Sequence, residues 1–99
     1  MKIKMRGTVT KIGEPKTAGQ STVREIVLNK KYHDQDSGEL KSEDNFPVQI
    51  WEDKFPEFEK QYHVSSLMEI EGFLNGRLVG EGGEARCFMN FVGRSFKRC

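Results

Sequence analysis

The sequence predicts a small, mainly β barrel of five strands with one short helix between the third strand and the fourth. Three observations carry that prediction. Apolar side chains recur at every second position in five separate stretches, and glycines and polar breakers separate those stretches. In one place only, around Phe55 and Phe58, the apolar spacing lengthens to that of a helix.

The first strand runs over residues 2 to 12, with Ile3, Met5, Gly7 and Val9 on one face and Lys4, Arg6, Thr8 and Thr10 on the other. Residues 13 to 20, Gly-Glu-Pro-Lys-Thr-Ala-Gly-Gln, are rich in breakers and read as a mobile loop. The second strand spans Thr22 to Tyr32, with Ile26 and Leu28 pointing inward. Residues 33 to 44 hold a Ser-Gly pair and one apolar side chain, Leu40, so they read as a second solvated loop. The third strand follows from Asn45 to Trp51, with Phe46, Val48 and Ile50 inward and Pro47, Gln49 and Trp51 outward.

Phe55, Phe58 and Tyr62 then fall at i, i+3 and i+7, and Pro56 is harmless in a first helical turn, so Asp53 to Tyr62 is predicted as an amphipathic helix. The fourth strand, Leu67 to Asn75, places Met68, Ile70, Gly72 and Leu74 inside and Glu69, Glu71, Phe73 and Asn75 outside. Asn75-Gly76 is read as the turn that ends it. After a Gly/Glu tip at residues 80 to 84, the fifth strand runs from Ala85 to Val92, with Cys87, Met89 and Phe91 inward and Arg86, Phe88 and Asn90 outward.

Ninety-nine residues form one domain over 1–99, because a chain this short supports a single core. Three strands, a helix and two more strands is the element order of the OB barrel, a five-stranded Greek key. The net charge is only +1, yet residues 1 to 13 and 85 to 99 contain cations and no acid, which leaves all fifteen acids in the middle. If both ends form strands of one barrel, their cations share a surface. No apolar run reaches the roughly 18 residues that a membrane helix needs, and Lys2 and Lys4 follow Met1 at once, so the expected location is the cytoplasm with no membrane association. Cys87 and Cys99 lack metal-type spacing and are expected as reduced thiols.

The segment Ile70-Glu71-Gly72-Phe73-Leu74-Asn75-Gly76-Arg77 resembles the "IEGxLxxR" fourth-strand segment of the bacterial single-stranded-DNA-binding proteins. Val48-Gln49-Ile50-Trp51, followed by the helix, is similar to that family's third strand, and Arg6-Gly7 resembles its first-strand glycine neighbourhood. The pieces occur in the family's order over most of the chain, which also resembles small bacterial domains sharing this barrel. Two positions depart from the pattern. Asn45 stands where the family's third strand opens with a second stacking Trp, and Leu78 or Val79 stands where its last hairpin often carries another. The resemblance implies an OB fold that binds one DNA strand as a homo-oligomer, a dimer or tetramer, in replication, repair or recombination. The family's long acidic-tipped tail has no counterpart before Cys99, so recruitment of partners through such a tail is not expected.

The residues themselves fit that chemistry, since a single strand is held by cations along its phosphates and by aromatic faces under its bases. Trp51 is the first candidate for a stacking platform, with Gln49 beside it. Phe73 and Arg77 on the fourth strand and Arg86 and Phe88 on the fifth interleave aromatics with cations, and Lys4, Arg6 and Lys31 extend the basic track. Other readings stay open: Trp51 capping the barrel against Phe55, Phe73 and Phe88 filling a dimer interface, and isolated cations serving only as solvated surface. His33 and His63 have no partner at ligand spacing, and nothing resembles a nucleophile elbow, a phosphate loop or a paired-carboxylate site, so no metal, no cofactor and no catalysis are expected. Three functions remain: sequence-tolerant binding of single-stranded DNA, binding of structured RNA, and an OB module that binds protein and lacks strong nucleic-acid binding.

Overall fold

A walk along hydrogen-bonded partners from Lys2 passes through Phe73, Val92, Gln49 and Glu25, and returns to the first strand at Gly13, just beyond its end. The sheet is therefore a closed barrel whose strands tilt steeply, since one circuit climbs nearly the full length of a strand. The computed structural model describes residues 1–99. Its elements are β1 (Lys2–Ile12), β2 (Lys16–Ala18), β3 (Ser21–His33), β4 (Leu40–Trp51), α1 (Phe55–Gln61), β5 (Leu67–Val79) and β6 (Arg86–Arg98). Five of the strands close in the order β1, β5, β6, β4, β3 and back to β1, and β2 adds an edge to β3. All pairings are antiparallel except the single parallel bridge Gln49↔Val92 between β4 and β6. This is the OB topology that the element order predicts.

The inward faces are those expected from alternation. Val9, Ile26, Leu28, Val48, Ile50, Met68 and Ile70 are fully buried, and Phe91 nearly so. Helix α1 closes one end of the barrel with the spacing read from the sequence. Phe58 packs edge-on against Phe96 and tilted against Tyr62, both with ring centroids 5.5 Å away, and Phe55 lies 5.7 Å from Phe58. The helix is shorter than expected by two residues at its start and one at its end, and no helix is long and apolar enough to cross a membrane.

Four boundaries differ from the sequence reading. Residues 13 to 20 are not wholly loop, because Gly19-Gln20 forms a two-residue turn, with Gly19 at φ +65°, that folds β2 back on β3. Residues 33 to 44 are half strand, with only residues 34 to 39 left as the connection. The β3–β4 pairing continues to His33↔Leu40, and the connection is tightened by Asp34, whose carboxylate accepts the backbone N–H groups of Asp36 and Ser37. Asn75-Gly76 does not turn, since both residues pair with β6, and the reversal comes at residues 80 to 85 through Gly80 and Gly82 at positive φ. The last strand extends to Arg98, past a bulge at Arg94 that lets Glu71 face Ser95 and Gly72 face Gly93.

The β3–β4 and β5–β6 pairs both run on beyond the barrel as two-stranded arms. Cys87 and Met89 keep the inward parity expected of them but lie on the second arm, above the core, and are exposed. Strand β5 is flanked by β1 and β6, the first and last strands. The Leu74 N–H donates to the Met1 carbonyl in the middle of β5, where its pairing with β1 stops, and the Cys99 N–H donates to the carbonyl of Leu67, its first residue.

Candidate functional site

Because Val48 and Ile50 enter the core, Gln49 and Trp51 face out from β4, and the same parity turns Phe73, Asn75 and Arg77 of β5 and Arg86, Phe88 and Asn90 of β6 outward. The Gln49↔Val92 bridge joins these strands edge to edge. Phe73 stands opposite Val92, Asn75 opposite Asn90, and Arg77 opposite Phe88. Trp51, Gln49, Phe73, Arg77, Phe88 and Arg86 thus share one outer face across β4, β6 and β5. Phe73 and Phe88 are 45% and 51% exposed, far from any need to fill the core. Arg77 and Arg86 make no ion pair.

Trp51 is half-buried at the lower edge of this face. It stands opposite Val23, which stands opposite Lys16 of β2, so a cation lies two strands away in the same row. On its other side Arg94, displaced by its bulge, grips Asp53 with two parallel hydrogen bonds of 3.2 and 2.9 Å. That fork holds the Asp53 carboxyl below the usual carboxylate range and raises Arg94, and it pins the chain just after Trp51. Trp51 makes none of the barrel's aromatic ring pairs. The ring of Phe55 is covered instead by the Arg24 guanidinium at 4.3 Å, as a cation–π contact. Across the parallel bridge the Gln49 side-chain amide donates to the Asn90 side-chain oxygen at 3.5 Å.

The other three candidates are elsewhere. Lys4 lies on β1 and shares Glu71 with Lys2, at 3.7 and 2.8 Å, and these lysines keep the Glu71 carboxyl below its ordinary range. Arg6 and Lys31 meet in a separate cleft between β1 and β3. Sequence reasoning missed Lys16, although the Gly19-Gln20 turn signal for its hairpin was present, and it missed the pairing of Arg94 with Asp53, which depends on a bulge that no local pattern announces.

No protein-family model matches this chain, and no curated protein matches it. Among solved structures it is similar to an SSB from Plasmodium falciparum in complex with ssDNA, with a TM-score of 0.64 and 16% identity over 99% of this chain and 93% of that one. It is also similar to a small single-stranded DNA-binding protein from Streptomyces coelicolor, with a TM-score of 0.66 and 13% identity over 100% of this chain and 94% of that one. At these identities the likeness shows the fold.

Proposed function

We propose that this chain binds a single nucleic-acid strand, DNA in the first place, without reading its sequence, and that it does no chemistry on it. One observation carries the proposal: three outward aromatics, Trp51, Phe73 and Phe88, lie on one face with Arg77 and Arg86, whose charges are unpaired. Every base has a π face, so such a surface accepts any sequence, at about 1 to 3 kcal/mol per stacked base, while the arginines follow the phosphates. The solved structures that share the fold are named as proteins that bind single-stranded DNA, which supports the same reading. Binding several copies along one strand adds avidity, and a dimer or tetramer acting in replication, repair or recombination fits this use.

The test is quenching of Trp51, the only tryptophan, by oligo-dT at about 50 and about 300 mM salt. Saturable quenching that weakens with salt is the expected result, and competition by folded RNA of equal length ranks the two nucleic acids. Absence of both quenching and a gel shift overturns the proposal. That result would favour a protein-binding module, which the exposed Leu78 and Met89 on the β5–β6 arm also suit.

A further inference from the structure

The cleft between β1 and β3 has a different composition from the aromatic face. Below Thr8↔Asn29 the two strands pair, and above it β1 leaves with β5 while β3 leaves with β4. The gap that opens has a volume of about 370 Å³ and is lined by Arg6, Thr8, Thr10, Asn29, Lys30 and Lys31, with no carboxylate in its wall. Glu69, Asp44 and Glu43 are the cross-strand neighbours of Arg6, Lys30 and Lys31, yet none forms an ion pair with them. Glu43 is turned instead to the Asn29 side-chain amide, which donates to it at 3.1 Å. Three cations without carboxylate partners, Lys30 also standing 5.4 Å from the Tyr32 ring centroid, and the Thr8 hydroxyl around an open gap suit the oxygens of phosphate groups. The Asn29 amide donates to Glu43 and Asn45, and the Thr10 hydroxyl to the Val27 carbonyl.

The cleft is also connected to the aromatic face. Phe73 stands opposite Lys2, and Lys2, Lys4 and Arg6 follow at alternate positions along the outside of β1, about 6.6 Å apart. Two of these lysines share the single charge of Glu71, so the row keeps a net positive charge up to the cleft. We infer that the β1–β3 cleft is a second, purely phosphate-holding site, which takes the backbone of a strand after it leaves Phe73 and crosses β1. This rests on the strand-binding reading above for its ligand, but its geometry is separate from the aromatic face.

The experiment compares wild type with a combined Arg6→Gln, Lys30→Gln, Lys31→Gln variant, all three being exposed positions. Oligo-dT of about 6 and about 16 nucleotides, within the range one such barrel covers, is titrated while Trp51 is monitored. The short strand is expected to bind both proteins alike. The long strand should bind the variant about tenfold more weakly, with the slope of log affinity against log salt smaller by about 2, since three lost contacts count about 0.7 each. An unchanged long-strand affinity and slope overturns the inference while leaving the aromatic face intact. Inorganic tripolyphosphate, followed by the amide resonances of Thr8, Thr10 and Asn29, gives an arm that needs no strand binding. Shifts in wild type that vanish in the variant support the site, and their absence in wild type overturns it. If neither oligonucleotide quenches Trp51, the proposed function fails, and the tripolyphosphate arm alone decides the cleft. Shifts with tripolyphosphate but no dependence on strand length overturn the nucleic-acid backbone as the occupant.

Discussion

Gly72 is the residue whose replacement tests the barrel and the site together. It is buried where β5 crosses β6, directly opposite Gly93, beside the bulge that brings Phe73 level with Val92 and Lys2. A Cβ added there would collide with the Val92 carbonyl oxygen and would lie 2.8 Å from its carbonyl carbon and 3.0 Å from the Gly93 Cα. All three atoms are backbone, so no rotamer change relieves the contact. Gly72→Ala gains about 0.4 to 1 kcal/mol from the lower entropy of the unfolded chain. Against this, overpacking costs about 1 to 3 kcal/mol and more where the backbone itself must move. The net loss is set at about 2 kcal/mol. At about 2.1 cal/mol/K of unfolding entropy per residue over 99 residues, that lowers Tm by about 10 °C. Thermal unfolding followed by circular dichroism, with oligo-dT affinity measured on the folded protein, reads both effects. The control is Gly76→Ala, four residues further on, where the nearest atom to an added Cβ is the Cys87 sulfur at an ordinary 3.7 Å, and which should unfold at or above the wild-type temperature. A Gly72→Ala protein that melts within about 2 °C of wild type refutes the close-approach argument.

Phe73→Ala and Phe88→Ala should each weaken oligo-dT binding by about 1 to 3 kcal/mol and change stability by less than about 1 kcal/mol, because both rings are half exposed. A stability loss larger than the binding loss would identify them as packing residues. Phe58→Ala should cost about 3 to 5 kcal/mol in denaturant unfolding, since its fully buried ring anchors α1 against Phe96 and Tyr62, and a loss under about 1 kcal/mol would mean the helix is not the barrel's plug. The Asp53 carboxyl is held below its ordinary range by the Arg94 hydrogen bonds, so its contribution to stability is full at neutral pH and is lost as pH falls through the lowered value. Stability measured from pH 7 to pH 3 should therefore show wild type above Asp53→Asn at neutral pH, with the two converging in acid. A constant gap would contradict the ion pair.

The inward residues could be read from the sequence because one face of each strand is buried and the other wet. Val48 and Ile50 against Gln49 and Trp51, or Met68 and Ile70 against Glu69 and Glu71, leave no ambiguity of parity. Where both faces meet water that signal disappears. The β2 edge and the outer half of the β3–β4 arm are held by backbone pairing and by side-chain links such as Asn29 to Asn45, so Lys16–Ala18 and Leu40–Asp44 carry no apolar alternation and read as loop. The site was legible in a similarly partial way. Parity alone turns Trp51, Phe73, Arg77, Arg86 and Phe88 outward, but which outward residues are neighbours depends on register around the barrel. The Gln49↔Val92 bridge gathers six of the candidates, whereas the divergence of β1 from β3 carries Arg6 and Lys31 to another wall, and Lys4 is held by Glu71.

The placement of β5 between β1 and β6 also has a kinetic consequence. Translation delivers β1 long before β5, and β6 after it, so β5 can pair with β1 as it emerges but its other flank waits for β6, and the Leu67 and Leu74 backbone groups bond to Cys99 and Met1. The hydrogen bonds that close the barrel therefore join residues far apart in sequence, which places folding in the slow, millisecond-to-second regime of non-local β topologies. A nascent chain whose β6 is still inside the ribosome presents β5 and β4 as open edges, and during that interval it is most exposed to pairing with a neighbour.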